Sequence, residues 1–146
     1  MVEIKIKKLS SDAIIPHYAH NGDAGMDVYS SEDNTLNPGE RKLISTGLSF
    51  EMPKGYEMQV RPKSGLALKN GITLLNSPGT LDSGYRGELK VLMFNTSDQT
   101  YSIKKSEKIA QIIIAKYEEA EMIEVEELKT NTSRGEGGFG STGLKK

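Results

Sequence analysis

The feature that most constrains this chain is its punctuation. Its apolar runs are short, and turn signals separate them: Asn37-Pro38-Gly39, Met52-Pro53-Lys54-Gly55, Asn70-Gly71, Ser77-Pro78-Gly79 and Thr96-Ser97-Asp98. Between these signals, Lys42–Phe50, Tyr56–Arg61, Ile72–Leu75, Glu88–Phe94, Ile109–Tyr117 and Met122–Val125 read as short strands. The N-terminal segment alternates with period two, with Val2, Ile4 and Ile6 on one face and Glu3, Lys5 and Lys7 on the other, as in a half-buried strand. Ser64–Lys69 is the single helical candidate, a turn or two closed by Asn70-Gly71. Fifteen glycines and five prolines suit many turns better than many helices. Evenly spaced short strands predict an all-β sandwich or barrel. The 146 residues fit one domain, large enough to bury roughly 70% of its unfolded surface without disulfides or metals.

Composition removes several classes of function. Nineteen basic residues against twenty acidic ones leave a net charge of -1. Stable binding to nucleic acid or to an anionic membrane needs a basic face, so neither is expected. The absence of cysteine excludes thiol nucleophiles and thiolate zinc sites. His17 and His20 cannot by themselves complete a zinc site and read as loop residues. No apolar run approaches the roughly 20 residues of a membrane span, and the N-terminus lacks the apolar stretch of a secretion signal. A soluble cytoplasmic protein is the expectation.

Residues 118–127 carry six glutamates, which suits a solvated edge or loop. The composition then changes. Residues 131–143 are almost all Gly, Ser, Thr, Asn and charge, with one aromatic, Phe139. Such a segment cannot fold alone. The chain therefore divides into a β domain over residues 1–130 and a flexible C-terminal arm over 131–146. The arm is either a disordered remnant or a segment that orders on a ligand.

Five segments hold residues suited to chemistry. In the arm, glycines allow close approach to an anion, Ser141 and Thr142 add hydroxyls, and Arg134 adds a bidentate fork. Phe139 is a candidate lid for a flat base. Gly135, Gly137 and Gly140 formally match G-x-G-x-x-G, but no helix follows them before Lys146, so this is not a dinucleotide fingerprint. In Arg61–Ala67, Ser64 is placed to cap the short helix, next to the cation of Lys63. In Gly79–Glu88, a glycine-flanked bend carries Asp82, suited to activating a water, and Tyr85, suited to packing on a sugar. In Gly22–Asp27, two carboxylates in a glycine turn suit a hydrated Mg²⁺. In Lys108–Ile114, Gln111 interrupts an apolar strand and either faces solvent or makes a specific bond.

Taken in order, these segments resemble the homotrimeric deoxyuridine triphosphate pyrophosphatase (dUTPase) family. The matching motifs are Ala24-Gly25-Met26-Asp27, Pro62–Ala67, Gly79–Glu88, Ile109-Ala110-Gln111 and Arg134–Gly143. The resemblance implies a jelly-roll-like β subunit, a homotrimer with sites at subunit interfaces, and an arm that closes over a site built by other subunits. It implies Mg²⁺-dependent hydrolysis of dUTP to dUMP and pyrophosphate. That reaction limits uracil entry into DNA and supplies dUMP for thymidylate synthesis.

By the same resemblance, Asp82 orients and deprotonates the attacking water, and Tyr85 packs on the deoxyribose. Asn76, with the backbone near Thr80, Leu81 and Lys90, lines the uracil pocket. Lys63, Ser64, Gly65, Gln111, Arg134, Ser141 and Thr142 hold phosphates, and Phe139 stacks on uracil. Asp27 reaches Mg²⁺ through a water.

The chain departs from the family pattern at Lys63, where arginine is usual, and at Gly84, where many members have a second aspartate. Two other functions are compatible with the same fold. One is dCTP deamination, whose general-base glutamate would fall near Leu92, a residue that cannot move protons. The other is non-catalytic nucleotide binding, which the presence of both Asp82 and the arm disfavours.

Overall fold

The computed structural model describes residues 1–129 and 131–142. Ten strands and one short helix follow in the order β1 (Lys5–Lys8), β2 (Met26–Tyr29), β3 (Asn34–Leu36), β4 (Arg41–Glu51), β5 (Tyr56–Arg61), α1 (Ser64–Asn70), β6 (Ile72–Leu74), β7 (Gly79–Leu81), β8 (Glu88–Asn95), β9 (Tyr101–Ile103) and β10 (Lys108–Lys116). All recorded strand pairings are antiparallel. They form two four-stranded sheets, β1-β4-β8-β6 and β2-β10-β5-β7, and a two-stranded ribbon of β3 and β9. This is the all-β, jelly-roll-like arrangement expected from the sequence.

Alternation decides which side chains enter the core. Along β8, Leu89, Val91 and Met93 are buried, while Lys90 faces outward. Ile44 and Leu48 of β4 and Val28, Met58, Ile109 and Ile112 of the other sheet also lie in the core. Burying one such side chain contributes about 1.5–3 kcal/mol. Buried polar groups are paired. Thr46 Oγ1 donates to Leu89 O at 2.6 Å. The Asn95 amide donates to Leu36 O and Gln99 O, and its oxygen accepts the Ser97 N–H and hydroxyl.

The structure corrects two sequence expectations here. Met122–Val125 is not a strand; it is irregular and exposed, with Met122 at 90% of its free-chain exposure. A strand needs a neighbour to satisfy its backbone, and none of the described strands lies beside this segment. The first strand starts at Lys5, so Val2 and Ile4 lie outside the paired region, although Val2, Ile4 and Ile6 are half-buried as the alternation predicts. The strands β2, β3, β7 and β9 are additional. Each has three or four residues, too few for periodicity to register.

Candidate active site

A cleft of about 540 Å³ opens beside the edge strand β7. Asn76, Thr80, Leu81, Asp82, Tyr85 and Lys90 line it, together with Leu43, Val60, Leu74, Gly79, Glu88, Val91 and Leu92. The bend that follows β7 is tied by its own hydrogen bonds. Tyr85 N–H donates to Asp82 O at 3.0 Å. The Tyr85 hydroxyl donates to Glu88 O at 3.1 Å, laying the ring over Gly87, where any side chain would overlap it. Arg86 donates to Ser83 O and Tyr85 O, and Ser49 Oγ donates to Arg86 O at 2.7 Å, anchoring the bend to β4. Asp82 is exposed and lines the cleft. No motif or spacing in the sequence marks Leu43 or Ser49. Arg86 and Gly87 lie inside the quoted motif, but their supporting role depends on contacts that composition does not reveal.

A second cluster centres on Asp27, at the other edge of the same sheet. Asp27, Gln111 and Arg61 sit opposite one another across β2, β10 and β5. The Asp27 carboxylate is largely buried and accepts Lys63 Nζ on one oxygen and Lys108 Nζ at 2.7 Å on the other. Burial works to raise its pKa. The hydrogen bonds from Lys108 and Lys63 outweigh that and hold the carboxyl below its ordinary value. Asp27 in turn raises the pKa of Lys108.

Gln111 resolves the alternative left open by its place in an apolar strand. Its amide donates to Pro62 O at 3.0 Å, and its oxygen packs so closely on Gly25 that a side chain there would collide with it. Asp23 and Asp27 both line a shallower hollow of about 420 Å³, and Asp23 accepts the His20 N–H at 2.9 Å. Among the described residues, no group of three or more His, Asp or Glu side chains is placed to hold a metal ion. Nothing in the local sequence marks Lys108 as a partner of Asp27.

Ser64 is not the helix cap. Lys63 occupies that position in extended conformation, with φ -91° and ψ 124°, and no side chain caps the helix. The chain leaves β5 through Pro62, so the extended residue before the helix is Lys63, and Ser64 already lies in the first turn. Ser64 and Gly65 are exposed. In the arm, Arg134 Nε donates to Gly137 O at 2.9 Å, and Gly135 N–H donates to Thr132 Oγ1. Ser141 N–H donates to Gly138 O, so these bonds are local turns. Phe139 is fully exposed with φ 48°, and Ser141 and Thr142 are exposed. Gly143 lies outside the described residues.

The candidate residues thus fall into three groups. Thr80 and its neighbours sit at edge strand β7, and Asp27 sits on edge strand β2. Three strand spacings, roughly 14 Å, separate those edges. The arm residues Arg134, Phe139, Ser141 and Thr142 form the third group.

The dUTPase family model matches residues 11–143. This chain belongs to the dUTPase family. The chain is 59% identical over 142 residues to the deoxyuridine 5'-triphosphate nucleotidohydrolase of Nautilia profundicola, covering 97% of this chain and 99% of the relative. It is 52% identical over 146 residues to the protein of the same name from Clostridium acetobutylicum, covering both chains completely. Among solved structures, the dUTPase of Staphylococcus bacteriophage 80alpha with dUpNHpp superposes with a TM-score of 0.90 at 30% identity, covering 97% of this chain and 99% of that one. A mutant dUTPase from phage phi11 of S. aureus, described with a structural Mg(II) ion, gives 0.81 at 26% identity, covering 87% and 99%. Membership in the dUTPase family is thus supported at the level of sequence and of fold. Among the described residues, no helix is long and apolar enough to cross a membrane.

Proposed function

We propose that this dUTPase-family chain is a dUTP diphosphatase, hydrolysing dUTP to dUMP and pyrophosphate in the cytoplasm. The observation that carries the reading is the 540 Å³ cleft, which joins backbone edges, a carboxylate and an aromatic ring in one recess. Asn76 and the backbone near Thr80, Leu81 and Lys90 supply fixed donors and acceptors for a uracil edge. A cytosine there would set donor against donor and leave buried groups unpaired. Tyr85, seated over Gly87, closes the sugar side against a 2′-hydroxyl. Leu92 lines the same cleft and has no proton to exchange, which supports hydrolysis over deamination.

Asp82 takes a proton from the water as the oxygen bonds to the α-phosphorus and the α–β bridging bond breaks. Lys63, Ser64, Gly65 and Gln111, with Arg134, Ser141 and Thr142 from the arm, hold the phosphates in line for this displacement. Phe139 stacks on the base. Two carboxylates, Asp23 and Asp27, line the hollow, which fits a Mg²⁺ that would take most of its ligands from phosphate oxygens and water, and Asp27 would reach it through a water. When bound, Mg²⁺ offsets charge on the pyrophosphate leaving group.

The reading includes a homotrimer in which each site draws on several subunits, with a folded domain over residues 1–130 and an arm over 131–146 that closes over a site. Three observations support it. Thr80 and Leu81 lie at edge strand β7 and Asp27 at the opposite edge strand β2 of one sheet. The recorded hydrogen bonds of the arm are local to it. Leu43, 57% exposed, stands opposite Leu92 on an outer sheet face.

The test is to incubate the full chain with each dNTP and Mg²⁺ and to assay monophosphate and pyrophosphate. Selective release from dUTP is expected, and equal turnover of dCTP or dTTP would overturn the reading. Light scattering should give three times 16.0 kDa. A fully active monomer would overturn the trimer.

A further inference from the structure

Lys108 belongs to none of the residue roles assigned so far, yet its side chain is built into the phosphate-side cluster. A simple alternation along β10 would place it on the face opposite Gln111, three residues away. The pairing with β2 shifts register between Lys108 and Ala110. Lys108 stands opposite Tyr29, Ala110 opposite Val28 and Gln111 opposite Asp27. The extra residue lets Ile109 and Ala110 both enter the core, at 1% and 0% exposure, and returns Lys108 to the face of Asp27 and Gln111.

The result is a carboxylate held by two ammonium groups from separate elements. Lys63, from the β5–α1 connection, takes Oδ1, and Lys108, from β10, takes Oδ2 at 2.7 Å. The Asp27 side chain is 17% exposed, whereas the Lys108 side chain is 49% exposed. With Lys63 committed to Asp27, the cation expected to meet a phosphate is already occupied. It is free to leave only if Asp27 keeps another partner, because a carboxylate mostly withdrawn from water is disfavoured without one.

We propose that Lys108 is a positioning residue for nucleotide binding: by retaining Asp27, it releases Lys63 from that carboxylate to the substrate's phosphates. This rests on reading the Lys63–Asp27–Gln111 cluster as the phosphate-holding half of the site. Lys108 itself stays on Asp27 and touches no substrate.

The test measures binding of dUpNHpp and dUMP by calorimetry in EDTA, together with steady-state kinetics and thermal melting, on the full chain. Wild-type protein is expected to bind both nucleotides. Lys108→Gln is expected to weaken dUpNHpp by roughly tenfold or more, the scale of one charge-assisted hydrogen bond, while dUMP changes little. The loss should appear in KM more than in kcat. Lys108→Arg should stay within about twofold of wild type, since it can hold the same oxygen. Adding Asp27→Asn to Lys108→Gln should restore much of the dUpNHpp affinity, because Lys63 then has no buried carboxylate to satisfy.

Unchanged dUpNHpp binding by Lys108→Gln would overturn the inference. So would an equal loss for dUMP with a large fall in melting temperature, which marks a structural role. No recovery in the double variant would also overturn it, by showing that Lys108 acts on phosphate directly. Failure of the wild type to bind dUpNHpp even after Mg²⁺ is restored would instead overturn the reading of the site itself, and this inference with it.

Discussion

Replacing Gly87 with alanine should relax sugar selectivity without touching a residue that faces the nucleotide. The Tyr85 ring lies over Gly87, and a methyl group there overlaps the ring and its hydroxyl. Gly87 does not adopt a left-handed backbone, so alanine adds no strain of its own. Tyr85 is 48% exposed and has room to swing outward. That movement breaks the 3.1 Å bond to Glu88 O, a loss of about 0.5–1.5 kcal/mol in stability, or a few degrees in Tm for a chain of this size. Rejection of one added hydroxyl gives discrimination of about 10²-fold. Gly87→Ala should remove about tenfold or more of it, measured as the ratio of kcat/KM for dUTP to that for UTP. Tyr85→Ala sets the lower limit, and Tyr85→Phe should retain most of the selectivity because the ring remains. A ratio unchanged in Gly87→Ala and Tyr85→Ala would refute the reasoning. A collapse in Tyr85→Phe as deep as in Tyr85→Ala would assign selectivity to the hydroxyl instead.

Three other perturbations have defined outcomes. Asp82→Asn should lower turnover by about 10²–10⁴-fold while dUpNHpp binding persists, read by pyrophosphate release and calorimetry on one preparation; near-normal turnover would remove Asp82 as base. Deleting residues 131–146 should abolish most activity with little change in Tm, and Phe139→Ala should lose about 1–3 kcal/mol of nucleotide binding. A large drop in Tm on deletion would make the arm structural. The Asp27 carboxyl titrates lower in the folded state than in the unfolded chain, so it adds stability above about pH 4 that is lost as pH falls through its depressed folded value. Chemical denaturation across that range should show a shallower acid decline in Asp27→Asn than in wild type, and an unchanged slope would contradict the pairing.

The local pattern of the sequence determined much of this protein. Short runs between Gly and Pro signals announced strands β4, β5, β8 and β10, because a period of two and a turn are properties of neighbouring residues. The bend carrying Asp82 and Tyr85 was legible for the same reason: its chemistry and its glycines lie within ten consecutive residues. Residues 131–146 stand apart from the strands by composition alone, since a segment so poor in apolar side chains cannot bury itself.

What depends on pairing between distant residues was not legible. Lys63 meets Asp27 across 36 positions, and only the joint register of β2, β10 and β5 brings them to one face. The register shift before Ala110 reverses the side on which Lys108 emerges, and nothing in Lys108–Ile114 read alone signals it. Met122–Val125 has the residues of a strand but no neighbour among the described strands. A strand's backbone hydrogen bonds go to another segment, so partner choice, register and bulges are settled by the whole sheet. Local sequence can propose a strand, and only the tertiary structure decides what stands beside it and which face its side chains share.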